Sequence, residues 1–122
     1  MADEPARSPL NPTALDELLE MSGGDRAFLA DLIDTFISDG HEILDALAAA
    51  ADAGRTDDLV RPAHTLKGNA TSFGATELAE RSRALEMDAR TGSVDDPAAR
   101  VRGIAEAFAA VEAALGDERD AT

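Results

Sequence analysis

The chain has 122 residues, with 11 Lys and Arg against 25 Asp and Glu for a net charge of −14, and it contains no Cys, Trp or Tyr. That length suits one domain with one core and leaves no room for a nucleotide-binding catalytic domain beside it. The acid excess excludes nucleic-acid backbones and anionic membranes as partners, since both require clustered Lys and Arg. The lack of Cys excludes disulfides, thiol chemistry and CxxC zinc sites. The expected setting is the cytoplasm, with a protein as partner.

Residues 1–12 hold Asp3, Glu4 and three prolines, without the basic start and apolar stretch of a secretory signal, and read as a disordered lead-in. The longest uninterrupted apolar run, Ala46 to Ala51, is far short of the roughly 18 residues that mark a membrane span. A short first helix is capped by Asn11 with Pro12 in its first turn, carries Leu15, Leu18 and Leu19, and stops at Gly23-Gly24.

The second helix runs from a cap near Asp25 to about Ala53, with an apolar stripe through Phe28, Leu29, Leu32, Ile33, Phe36, Ile37, Ile43, Leu44 and Leu47. A third, Thr56 to Phe73, repeats Leu59, Ala63, Leu66, Ala70 and Phe73 at steps of four and three, and Gly74 is its left-handed stop. Within it, Pro62 cannot donate its amide to a preceding carbonyl, so the helix either kinks there or begins its regular part late. The fourth, Thr76 to Arg90, places Leu78, Ser82, Leu85 and Ala89 on one face; the fifth opens at Asp96-Pro97 and carries Val101, Ile104, Phe108, Val111 and Leu115. From Gly116 to Thr122 the chain is polar and reads as a disordered tail.

With four substantial helices, short connections and no strand pattern, the expected fold is all-α: an antiparallel up-down-up-down four-helix bundle over 13–115, with the short first helix across one end. A single apolar stripe per helix and the high net charge favour a monomer.

Chemistry concentrates on the third helix. On a wheel of about 100° per residue, Lys67, Gly68 and Thr71 fall within about 60° of His64, while Leu59, Ala63, Leu66, Ala70 and Phe73 occupy the opposite side. A solvent-facing imidazole offers a ring-nitrogen lone pair as nucleophile. Lys67, the only lysine in the chain, is one turn away and could steady an anion acquired by His64. Gly68 costs a helix interior about 1 kcal/mol relative to alanine, and its compensation is space for another protein or a phosphoryl group to approach. Singly, each residue is ordinary surface or packing; the combination on one face is not.

The run Ala63-His64-Thr65-Leu66-Lys67-Gly68, with Gly74-Ala75 ten residues after the histidine and Leu78 and Leu85-Glu86 beyond, resembles the signature of histidine-containing phosphotransfer (HPt) domains. Gly23-Gly24-Asp25 followed by Phe28-Leu29 and Leu32-Ile33 is similar to that family's entry into its long second helix. The resemblance implies that His64 takes a phosphoryl group from an aspartyl phosphate on a response-regulator receiver domain and passes it to another receiver. It implies further that Lys67 steadies the phosphoryl charge and Gly68 keeps the approach open. Such a chain is a phosphocarrier without a kinase or ATP site and needs no cofactor of its own, with Mg²⁺ expected on the receiver. Receivers, including those of hybrid sensor histidine kinases, would dock around Arg61, Asn69 and Thr71.

A di-metal helical bundle would place Glu three positions before each His, but Arg61 and Ser38 stand there relative to His64 and His41. The chain lacks a phosphate-binding loop or kinase motif set. The remaining alternative is a bundle that docks a receiver or another protein without carrying phosphate.

Overall fold

The computed structural model describes residues 9–120. Five α-helices appear in chain order: α1 (Pro12–Met21), α2 (Arg26–Asp52), α3 (Val60–Ser72), α4 (Thr76–Arg90) and α5 (Pro97–Asp120), with a 3₁₀ turn at Thr56–Leu59 and no strand among the described residues. None of these helices is long and apolar enough to cross a membrane.

The boundaries follow from local chemistry. The Asn11 side chain accepts from the Thr13 amide at 3.0 Å, and Asp25 caps α2 by accepting from the Phe28 amide at 3.1 Å. Both satisfy amides that a helix start leaves without partners. At the end of α3, Gly74 sits at φ 69°, its amide donates to Thr71 at 3.0 Å, and the Ala75 amide donates to Ala70 at 2.9 Å. That paired return is the Schellman stop expected of a left-handed glycine. Of the two outcomes open at Pro62, the late start is realised: the 3₁₀ turn precedes α3, and Pro62 lies in the helix's first turn, where a missing amide costs no intrahelical bond.

Helix α2 packs on α5 and α3, while α4 packs on α3 and α5, so the four long helices enclose one core in a closed cycle. The α3–α4 pairing is the most extensive. Phe36 links the layers, its ring 4.8 Å from Phe73 and 5.6 Å from Phe108. Gly40 permits the α2–α5 approach, since a Cβ there would lie 2.2 Å from the Phe108 ring.

Three expectations require correction. The lead-in drawn through residue 12 ends earlier: Leu10 is buried, and the Asn11 amide donates to the Gly74 carbonyl at 2.8 Å. The tail drawn from Gly116 is helical to Asp120, because Leu115 is buried and Arg119 pairs with Asp34 on α2. Phe28, assigned to the apolar stripe of α2, is 48% exposed, as the buried face there is centred on Leu29 and Ile33. The disorder expected of residues 1–8 and 121–122 falls outside the described residues.

Candidate functional site

The register of α3 buries Ala63, Leu66 and Ala70 and turns His64 outward with its side chain 58% exposed. Lys67 stands one turn along at 31% exposure, and Gly68 is exposed beside them. A Cβ at Gly68 would meet nothing within 4 Å, so no packing constraint inside the domain requires glycine there. The predicted trio thus shares one open face.

The geometry adds a residue whose role was not anticipated. Glu86 on α4 is buried, and its carboxylate reaches side chains of α3. Oε2 lies 2.9 Å from His64 Nδ1 and accepts from Arg90 Nη2 at 2.8 Å and Nε at 3.2 Å. The Lys67 ammonium is 3.1 Å from Oε1, an electrostatic approach off the hydrogen-bonding direction. A carboxylate removed from water is costly unless cations and donors surround it, and here three basic side chains do so.

The two-pronged Arg90 contact is the main reason that the Glu86 carboxyl is held at about 2, below its ordinary 4.5; Lys67 and His64 add to this against the opposing effect of burial. An ionised carboxylate can only accept. The shared hydrogen bond therefore requires the proton to be on His64 Nδ1, which leaves the Nε2 lone pair as the ring's free nucleophilic position.

The proposed docking residues divide between two flanks. Arg61 and Asn69 line a groove between α2 and the start of α3, whereas Thr71 stands on the other side of His64, its hydroxyl donating to the Lys67 carbonyl at 2.8 Å. His41 is remote from this cluster: it pairs with Glu112 at 3.1 Å and meets the Phe108 ring edge-on. Among the described residues, no group of three or more His, Asp or Glu side chains is placed to hold a metal ion.

The sequence model of the Hpt domain matches residues 31–114, a span that contains His64, Lys67, Gly68, Glu86 and Arg90. The chain belongs to the Hpt domain family. This Hpt protein also matches the crystal structure of histidine-containing phosphotransfer protein B (HptB) from Pseudomonas aeruginosa PAO1, with a TM-score of 0.87 and 32% identity over 96% of this chain and 98% of that one. Comparison with curated protein sequences gives no significant match. Family and fold together make it a histidine phosphotransfer protein of a phosphorelay.

Glu86 carried a signal in the sequence. It borders the α4 stripe next to Leu85, and Arg90 follows at i+4, the spacing at which a helix brings acid and base together. Its reach to His64 depends on how α3 and α4 face each other, which periodicity within either helix does not specify.

Proposed function

We propose that His64 Nε2 receives the phosphoryl group from a receiver aspartyl phosphate and delivers it to a second receiver. The observation that carries this reading is the 2.9 Å contact between His64 Nδ1 and the ionised Glu86 carboxylate. In the forward step, the Nε2 lone pair attacks phosphorus, the N–P bond forms, and the acyl-phosphate P–O bond breaks to release the receiver's carboxylate. The Nδ1 proton stays in place, so the cationic ring formed by attack is compensated by Glu86. Reversal on a second receiver restores the neutral imidazole.

Phosphoryl transfer depends mainly on in-line placement and neutralisation of the equatorial oxygens. Lys67 supplies one cation to those oxygens by turning from Glu86, while Arg90 continues to balance the carboxylate. Gly68 leaves the approach clear. The receiver brings Mg²⁺, which neutralises phosphoryl charge; the Hpt protein acts as a carrier with no kinase or ATP site of its own. The short connections and the cyclic packing support an up-down-up-down arrangement of the four long helices. A monomer in the cytoplasm is the form that we assign to it.

The test is transfer from a panel of phosphorylated receiver domains, with acid and base stability of the label recorded. An acid-labile, base-stable label on the wild type that is lost in a folded His64→Gln variant is expected. Measurable receiver binding with no label would instead indicate a docking bundle.

A further inference from the structure

The Glu86 carboxylate is loaded unevenly. Three donors converge on Oε2: His64 Nδ1 at 2.9 Å, and Arg90 Nη2 and Nε at 2.8 and 3.2 Å. Oε1 accepts no hydrogen bond, the one buried side-chain nitrogen or oxygen so placed among the described residues, and the Lys67 ammonium stands 3.1 Å from it. From this asymmetry we infer that Arg90 is a positioning residue: it moves one of its two bonded nitrogens onto Oε1 when Lys67 leaves, and thereby releases Lys67 to the phosphoryl group. This rests on the phosphocarrier reading above and names the side chain on which the lysine's movement depends.

Two carboxylate oxygens together offer about four lone-pair sites. Crowding three donors onto one oxygen while the other accepts none uses them poorly, unless something already occupies the approach to the second. Lys67 does so. Its ammonium lies off the hydrogen-bonding direction, and so gives Oε1 a neighbouring charge without saturating it. Once Lys67 turns to the phosphoryl oxygens, a buried anionic oxygen loses that neighbour, and an orphaned buried charge is strongly unfavourable. The lysine is held back until a replacement arrives.

Arg90 can supply that replacement. A guanidinium carries parallel N–H donors in one plane, a geometry that spans both oxygens of a carboxylate. A turn of the Glu86 carboxylate about its terminal torsion, which is soft, brings one Arg90 nitrogen to Oε1 and leaves the other on Oε2 beside His64 Nδ1. Every donor keeps an acceptor in this exchange, and each oxygen then has at least one donor. Arg90 follows Glu86 at i+4 on α4, so the helix keeps the two together throughout, and the arginine side chain, 59% exposed, has room to shift.

The other neighbours do not fill this role. His64 must keep its Nδ1 proton on Oε2 while Nε2 reacts. Arg83, the preceding arginine of α4, faces Glu80 at 4.0 Å. His64, Lys67 and Arg90 are the basic side chains that contact Glu86 among the described residues, so with Lys67 gone and His64 committed, Arg90 is the cation left to cover Oε1.

The test compares wild type, Lys67→Ala, Arg90→Gln and the double variant before and after His64 is loaded with phosphoramidate, a small donor that needs no docking. Lys67 is the only lysine, so ¹³C-lysine labelling gives one side-chain Cε signal, and the Arg90 Nε signal is assigned through its backbone. Both signals are expected to move when wild type is loaded. In unloaded Lys67→Ala, where Oε1 has already lost its cation, the Arg90 signal is expected close to its position in loaded wild type. Single-turnover transfer from a receiver should be about fivefold slower in Arg90→Gln, and adding Lys67→Ala should slow it by no more than about a further twofold, because a lysine that is not released contributes little. An Arg90 signal unchanged by loading and by Lys67→Ala would overturn the exchange, as would single-variant effects that multiply in the double variant; the wild-type and Lys67→Ala spectra decide it even where Arg90→Gln fails to fold. Wild-type protein that takes no phosphate on His64 from phosphoramidate or from receivers would refute the carrier reading and the exchange with it, whereas loading at His64 beside a stationary Arg90 would refute the exchange alone.

Discussion

Glu86→Gln isolates the charge at the centre of the site. Glutamine keeps the shape and one carbonyl acceptor but resembles the protonated acid. A folded-state carboxyl held at about 2, against 4.5 ordinarily, makes ionised Glu86 stabilise the fold by about 3 kcal/mol at neutral pH, at about 1.4 kcal/mol for each pH unit between the two values. Because the folded value is the lower one, the contribution is complete above about 4.5 and disappears as pH falls through about 2. Exposure of His64 and Arg90 to solvent moderates it, giving an expected difference of about 2–3 kcal/mol between wild type and variant at pH 7. Denaturant unfolding followed by far-ultraviolet circular dichroism at pH 7, 4 and 2.5 measures this in a chain without Trp or Tyr. Protonation of the other carboxylates is common to both proteins and cancels. The difference should contract over the acid range; a difference that stays constant from pH 7 to 2.5 would refute the assignment of Glu86 as a cation-held carboxylate.

The remaining predictions concern single side chains. Glu86→Ala should redistribute the His64 proton between ring nitrogens and slow phosphoramidate loading about tenfold, the lower range for a charge-assisted hydrogen bond at a half-exposed ring; imidazole ¹⁵N shifts identical to wild type would contradict this. Lys67→Ala should slow receiver transfer roughly fivefold, equivalent to about 1 kcal/mol for a partly exposed cation, as read by rapid-quench single turnover. Alanine at two helical glycines should act with opposite signs: Gly68→Ala raises stability by about 1 kcal/mol because its Cβ enters open space, whereas Gly40→Ala lowers it by about 1–3 kcal/mol by pushing against Phe108. Thermal melts of the two variants would decide both.

Much of this architecture was legible because its signals are local. Asn11, Asp25, Gly74 and Pro97 mark helix ends through chemistry contained within a few residues, and the α3 wheel separates His64 from Leu66 without knowledge of any neighbour. Pro62 was ambiguous for the same reason, since a kink and a 3₁₀ lead-in accommodate the absent amide hydrogen equally well until the 3₁₀ turn is seen, with Leu59 buried in the core. The sequence misled where long-range contacts override local polarity. Arg119 lies in a stretch that looks like solvent-exposed tail, but pairing with Asp34 gives the last turns of α5 a reason to persist. Glu86 illustrates the limit most clearly: its 22-residue separation from His64 becomes a hydrogen bond only through the α3–α4 packing.

The outward placement of His64 also bears on traffic through the relay. On the proposed reading, His64 stands on an exposed helix ridge with a single face by which phosphate would arrive and depart, so two receivers could not be served together. Each must vacate the ridge before the next can use it. Turnover of such a relay would then depend on how quickly partners let go, and a receiver present in excess would throttle its rivals by occupancy alone, even without exchanging phosphate.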